Sequence, residues 1–222
     1  KDVETHRPHG FIIAAMLERA DVRDRLIGAE SVSALPHGAR VGTSAPRRRA
    51  QLLARRHDLE ICLFRGNVQT RLAKLAAGEA QATLLAAAGL ERLGMDDIGM
   101  AIAIEEMLPA PAQGAIGIET LARNDAMVGW LSAINHAATF TCVNAERALL
   151  AGLSGDCRSP VAGLAVIKRA QIWLRCDIYS GDGQHKETGE AMFATNDAEA
   201  PVRLAATLLE SAHPSVRESF SK

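Results

Sequence analysis

Three times between residues 39 and 94 a short apolar stretch runs into a turn and then into a helix-forming stretch, and each of these turns carries arginine. The first unit joins a strand at 39–42 to a helix reaching about Arg56, with Ala50, Leu52 and Leu53 as its apolar residues. The second joins a strand at 59–64 to a helix at 68–77 that carries Val68, Leu72 and Leu75 and closes at Gly78. In the third, a buried strand at 82–87 leads to the loop at 89–94, which holds Arg92. Strands that alternate with helices are joined by crossovers, so an α/β fold around a mainly parallel sheet is expected. Ligands of such sheets sit outside the carboxyl ends of the strands. Arg47, Arg48, Arg65, Arg71 and Arg92 all fall near those ends.

The charge pattern points to the same place. From Thr43 to Arg71 there are seven arginines (47, 48, 49, 55, 56, 65 and 71) and two acids, Asp58 and Glu60, in a chain whose formal net charge is -1. No lysine interrupts them, and arginine is the residue whose planar fork grips a carboxylate or phosphate at two points. Thr43 and Ser44 stand where an N-cap is wanted and Pro46 suits a first turn, so residues 43–48 read as a strand-to-helix turn. Its free N–H groups and the helix dipole make a cradle for an anion. A solvated helix face is the bland reading of an arginine run, but the placement at strand ends favours a ligand. Nucleic acid is disfavoured: aromatic residues make up 4% of the chain and offer no stacking platforms. Neither GxxxxGK[ST] nor GxGxxG occurs. A small polyanion is the expected ligand.

At 222 residues and 48% hydrophobic, the chain has material for one or two compact domains. No apolar run approaches the roughly 18 residues of a membrane span and no secretory leader is evident, so a cytoplasmic location is expected. The chain opens on KDVETHRPHG without an initiator Met and runs into a strand at 11–17, as the middle of a longer protein would. Residues 18–38 read as a loop punctuated by Pro36 and Gly38. Pro109, Pro111 and Gly114 make 108–114 a stiff crossing, with a strand at 115–119 beyond it. Helices are expected at 125–135 and 139–150, the second carrying Glu146 and Arg147 as a surface ion pair. Strands at 161–167, 171–179 and 190–194 and a helix at 197–213, capped around Asn196 and Glu199, complete a small α+β module.

Four cysteines stand far apart with no CxxC pair, which favours neither a metal site nor a disulfide framework. Cys62, Cys142 and Cys176 lie within strand or helix patterns, where burial is expected. Cys157 differs: it sits in a glycine-rich loop between Asp156 and Arg158, accessible and next to a cation that would favour the thiolate.

In chain order the segments KDV, VGTSAPRRRAQL, LFRGNVQTRLAKL, AAGLERLG, LPAPAQGAIGIE, AERALL and GDCRSPVAG resemble the porphobilinogen deaminase (hydroxymethylbilane synthase) family of tetrapyrrole biosynthesis. The resemblance covers essentially the whole chain. It implies two domains like periplasmic binding proteins, the first lacking its N-terminal part here, and a small α+β third domain. Residues 1–20 and 115–134 would belong to the first, 21–110 to the second and 137–222 to the third. It also implies a dipyrromethane cofactor bound through a thioether to Cys157, with Lys1, Thr43, Ser44, Arg47 and Arg48 around it. Asp2 would be the catalytic carboxylate. Arg48, Arg65, Arg71 and Arg92 would hold acetate and propionate groups of the substrate porphobilinogen, with Arg147 and Gln113 as further candidates. No metal is implied, and a monomer is expected.

The implied reaction suits these charges. Porphobilinogen loses ammonia to give a cationic azafulvene, which a nearby carboxylate stabilises. Each pyrrole carries two carboxylates, so a growing chain needs many guanidinium partners. Four units are added and hydroxymethylbilane is released by hydrolysis. The competing reading is a non-catalytic polyanion-binding protein of periplasmic-binding type or an inactive fragment, which would have no use for a thiol at Cys157. Arg123 is assigned no function.

Overall fold

The computed structural model describes residues 3–5 and 8–221. In chain order the elements are β1 (Phe11–Met16), β2 (Asp24–Ile27), β3 (Arg40–Gly42), α1 (Pro46–Arg55), β4 (Glu60–Cys62), α2 (Val68–Ala76), β5 (Ala82–Ala86), α3 (Ala87–Glu91) and β6 (Met100–Ala101). They continue with β7 (Gly117–Leu121), α4 (Asp125–Ser132), α5 (Ala137–Gly152), β8 (Val161–Lys168), β9 (Gln171–Tyr179), β10 (Lys186–Ala194), α6 (Ala200–Ser211) and α7 (Pro214–Glu218). Among the described residues they form a mixed α/β structure with three sheets. No helix among the described residues is long and apolar enough to cross a membrane.

The middle sheet has the order β4-β3-β5-β2-β6. β3 runs parallel to β4 and β5, as the strand–helix alternation requires, but β2 pairs antiparallel with both β5 and β6. The sheet is therefore mixed, not mainly parallel. β2 lies in the stretch that reads as a loop from sequence. Its four residues are Asp24, Arg25, Leu26 and Ile27, and the buried face carries Asp24 beside Leu26, so a charge occupies a core position and breaks the apolar alternation. Leu26, Val41, Leu52, Ala82, Leu84 and Met107 form the core beneath this sheet.

β1 and β7 make a two-stranded antiparallel sheet, β7 beginning two residues later than expected, with a register shift between Ile13 and Ala15. The third sheet is the antiparallel meander β10-β9-β8, with register Val161↔Ile178 and Lys186↔Tyr179. Leu149, Leu153, Leu174, Ile178, Ala205 and Leu208 from the strands and from α5 and α6 close its core. Full burial of each leucine stabilises by roughly 1.5–3 kcal/mol. α6 starts three residues later than expected, where Asp197 Oδ1 accepts from the Glu199 and Ala200 N–H groups in the capping role expected of Asn196 and Glu199, and it ends at Ser211.

Between the sheets the chain crosses at 108–114. Pro109 gives its carbonyl to the Gly163 N–H of β8, and Leu108 packs with Ala162 and Leu164. Gly114 has φ +80, and a Cβ there would lie 2.7 Å from the Ala20 carbonyl oxygen, so a side chain is excluded twice over. Ala112 has φ 62, uncommon for a residue with a Cβ. Its N–H donates to Glu146 Oε2 at 2.6 Å, which holds the crossing in that conformation.

Glu146 corrects the surface-pair expectation. It is fully buried and accepts both arms of the Arg19 guanidinium, at 2.7 and 2.9 Å, as well as the Ala112 and Ala165 N–H groups. Adjacent residues on a helix point about 100° apart, so Arg147 turns elsewhere, to the carbonyls of Val3, Glu4 and Thr5.

Candidate functional site

α1 starts at the carboxyl end of β3, with Pro46 in its first turn as expected, but the cap position belongs to Ala45 and carries no side-chain cap. Thr43 is buried and its hydroxyl accepts the Ala45 N–H, while Ser44 is exposed. Among the described residues no side chain caps the N–H groups of this helix start, as an anion cradle requires.

The two arginines of that first turn point inward. Arg47 and Arg48 are each 4% exposed, and both grip Asp24 of β2, itself 1% exposed, at 2.7 Å. Arg47 also donates to Gln51 Oε1, the Leu108 carbonyl and Gln113 Oε1. Arg48 reaches the Leu84 carbonyl. The Gln113 amide donates to Asp24 and to the Val22 carbonyl, so Gln113 belongs to this buried cluster. Burial would raise the Asp24 carboxyl, but the guanidiniums of Arg47 and Arg48 outweigh it and hold the group well below the usual carboxylate range. Two guanidiniums against one carboxylate leave the cluster with a surplus positive charge directly under the α1 turn.

The remaining arginines stay outside. Arg65, just past β4, is exposed. Arg71 of α2 bridges the Gly66 carbonyl at 3.0 Å and the Ser44 hydroxyl at 3.3 Å, which brings α2 to the α1 turn. Burial and then the neighbouring Arg48 charge lower the Arg71 guanidinium from its ordinary value. Arg92 reaches the Gly114 carbonyl at 3.4 Å.

Cys157 is exposed and free, in the loop between α5 and β8. That loop is braced by Ser159, whose hydroxyl accepts the Asp156 N–H at 3.0 Å. Arg158 turns to Asp156 at 3.1 Å, and not to the thiol as its position suggested. Cys157, Asp156 and Ser159 share a cavity of about 70 Å³ with Ala45, Pro46 and Arg47, so the loop faces the start of α1. A second cavity of about 180 Å³ shares Ala45 and Pro46 of the same turn and is lined also by Thr43, Ser44, Arg49 and Cys62. Cys62 is half-buried there, whereas Cys142 and Cys176 are buried as expected. Burial pushes both of those thiols up and keeps them inert.

Arg147 lies on the α5 side of this loop, and the Thr5 hydroxyl donates to the Gly155 carbonyl at 2.9 Å. Segment 3–5 is thereby tied to α5 and to the root of the cysteine loop. Lys1 and Asp2, expected to serve cofactor and catalysis, lie outside the described residues. Sequence reading missed Asp24 and Gln51 altogether. An aspartate in a four-residue strand and a glutamine one turn after the arginines carry no periodic signal.

An open thiol, an uncapped helix start and a surplus buried positive charge around adjoining cavities fit a carboxylate-bearing group tethered through sulfur. Residues 1–129 match the family profile described as porphobilinogen deaminase, dipyromethane cofactor binding domain, and residues 140–210, which include Cys157, match that of the porphobilinogen deaminase C-terminal domain. The chain is 55% identical over 227 residues to the porphobilinogen deaminase of Sphingopyxis alaskensis, covering 100% of this chain and 71% of the relative. It is 47% identical over 203 residues to the porphobilinogen deaminase of Paracoccus denitrificans, covering 90% of this chain and 65% of the relative. Arginine turn, cysteine loop and profiles together show that the chain belongs to the porphobilinogen deaminase family, transferases of porphyrin biosynthesis with a dipyrromethane cofactor.

Proposed function

We propose that this chain contributes the cofactor loop and most of the anion-binding cleft of an enzyme that condenses four porphobilinogen molecules, with loss of ammonia, and releases hydroxymethylbilane. The observation that carries the reading is the shared cavity of Cys157 and the α1 turn. A non-catalytic binder would gain nothing from an exposed thiol at that position.

Cys157 holds the cofactor through a thioether. When bound, dipyrromethane supplies a pyrrole carbon as the nucleophile for the incoming unit. Arg47 and Arg48 act from beneath the turn, where their surplus charge over Asp24 draws a cofactor carboxylate to the uncapped N–H groups above them. Thr43 and Ser44 line that position, and Arg48 also serves substrate carboxylates. Arg65, Arg71 and Arg92 stand at successive strand ends and meet the acetate and propionate groups of porphobilinogen and of the growing chain. Gln113 keeps the arginine cluster oriented, and Arg147 holds segment 3–5. Asp2 stabilises the cation left by loss of ammonia, and Lys1 joins it at the cofactor.

The fold proposed for the enzyme has two domains like periplasmic binding proteins, 1–20 with 115–134 and 21–110, and a cofactor-carrying domain at 137–222. It is a cytoplasmic monomer with a small-molecule substrate and neither nucleic acid nor membrane as partner.

Intact-mass measurement of the full-length protein tests the reading. A dipyrromethane adduct is expected on the wild type and its absence on Cys157→Ser, together with loss of turnover. An unmodified mass in protein that still turns over porphobilinogen would overturn it. Asp2→Asn is expected to keep the adduct and turn over far more slowly.

A further inference from the structure

Side chains of a strand alternate, so β9 has two faces with different neighbours. Leu174, Cys176 and Ile178 point into the core with α5 and α6. The opposite face carries Trp173, Arg175, Asp177 and Tyr179, and it looks toward α1 and the turn at 104–108. On the β8 side this face is apolar and closed: Leu164, opposite Arg175, and Ala162, opposite Asp177, pack with Leu108. On the β10 side the cross-strand neighbours are polar, Glu190 opposite Arg175 and Thr188 opposite Asp177. There α1 and the meander leave a cleft of about 540 Å³, a volume suited to a small molecule. It shares no lining residue with the Cys157 cavity.

Asp177, buried in this cleft, is fully engaged. It accepts from the Tyr179 hydroxyl at 3.0 Å, from the Thr188 hydroxyl at 2.9 Å and from Lys186 at 3.0 Å. Glu190 accepts the Trp173 indole N–H at 3.1 Å. Arg175 is the exception. Its side chain is 17% exposed, and among the described residues it donates no hydrogen bond. The carboxylate paired with it, Glu105 Oε1, stands 4.0 Å off, beyond hydrogen-bond reach, on a side chain that is 71% exposed. The Trp173 ring lies 4.4 Å from the guanidinium, but stacking takes the flat face and leaves the N–H donors at its edge unspent. A largely buried guanidinium with unspent donors calls for an acceptor, and the cleft is where one can reach it.

The lining also sets the charge of what can enter. Three cations, Arg55, Arg175 and Lys186, face four acids, Glu105, Glu106, Asp177 and Glu190. Phosphate or a dicarboxylate finds no surplus of positive charge here, unlike at the α1 turn. A single carboxylate suits Arg175 with Arg55 across the cleft, and Glu105 and Glu106, both exposed, suit an ammonium group. Ala54, Ile104 and Leu108 offer apolar contact as well.

We infer that the cleft between α1 and β9 binds a small zwitterion, a molecule whose short apolar body separates one carboxylate from one ammonium group, with the carboxylate on Arg175. The ligand ties α1 to β9. This site does not depend on the proposed reaction.

The probes are γ-aminobutyrate, butyrate and succinate, titrated into full-length holoenzyme and read from the Trp173 indole N–H resonance, which its loss in Trp173→Phe identifies. That N–H is bonded to Glu190 and its ring carries Arg175, so it reports this cleft and not the cofactor arginines. For γ-aminobutyrate a Kd below about 1 mM is expected, at least about tenfold tighter than for butyrate or succinate. Arg175→Gln should weaken it at least about tenfold, the worth of one charge-assisted contact. Because Arg175 also stacks on Trp173, a second variant avoids any question of folding: Glu105→Gln with Glu106→Gln changes only exposed side chains. It should weaken γ-aminobutyrate at least about threefold while butyrate binds no more weakly than before. A Kd above about 1 mM, a preference below about tenfold, or variants that bind γ-aminobutyrate as wild type does would overturn the inference.

Discussion

Arg47 and Arg48 are 4% exposed and share one carboxylate, whereas Arg65 on the neighbouring strand end is exposed and Arg71 reaches only a backbone carbonyl and the Ser44 hydroxyl. The two groups have the same side chain and sit 17 to 24 residues apart in sequence, yet their energetics differ. A guanidinium taken out of water needs a partner that offsets its desolvation, and Asp24, Gln51, Gln113 and two backbone carbonyls are that partner set. A guanidinium left at the surface keeps its water and remains available to a ligand. An anion site of this kind therefore has two layers. The buried layer shapes the turn and biases its charge, and the outer layer makes the exchangeable contacts.

The sharpest way to break this division is Asp24→Ala. It strands two buried guanidiniums, and a loss of about 3–5 kcal/mol is expected, read by urea denaturation of the full-length protein. A loss below about 1 kcal/mol would place the pair in the outer layer instead. Next is Arg71→Ala, which should leave stability within about 1 kcal/mol while kcat/KM for porphobilinogen falls about ten- to a hundredfold, the effect of one charge-assisted hydrogen bond. Unchanged kinetics would remove Arg71 from the outer layer.

A smaller effect comes from acid. The folded-state value of Asp24 is held below the ordinary carboxylate value of about 3.9, so its stabilising contribution is complete above about pH 4 and is lost as pH falls through the folded value. Asp24→Asn should flatten that part of the stability–pH profile, and a profile that keeps its wild-type shape would show that other carboxylates set it. The smallest effect is expected at Arg123, exposed and outside both layers. Arg123→Ala should change stability by no more than about 0.5 kcal/mol and leave turnover as it is, and a larger loss would mean a third group of working arginines.

Elements whose period and punctuation are local were readable in advance. α1 begins at Pro46, α2 runs Val68–Ala76 with Gly78 after it, and β9 spans Gln171–Tyr179. Cys157 was distinguishable from the other cysteines because glycines and proline around it exclude a helix or strand. β2 was not legible, since Asp24 takes a position where an apolar residue is the usual signal. The cap of α1 was misread because Thr43 and Ser44 precede the true cap position by two residues and one, and boundary residues are settled by backbone geometry more than by side-chain preference. Glu146 and Arg147 look like a surface pair in sequence, yet one closes a buried network with Arg19 and the other holds segment 3–5.

By itself the sequence determined the alternation of strand and helix, the placing of arginines at strand ends and the single cysteine in an open loop, because each depends on residues within a few positions of one another. Only the tertiary structure decided which guanidiniums face inward, which carboxylate neutralises them, and that Gln113 arrives beside Arg47. Those outcomes turn on partners 23 to 66 residues away, Asp24 to Arg47 at one extreme and Gln113 to Arg47 at the other. A charged side chain is stable in the interior only where such a partner arrives, and nothing in its local sequence records that arrival.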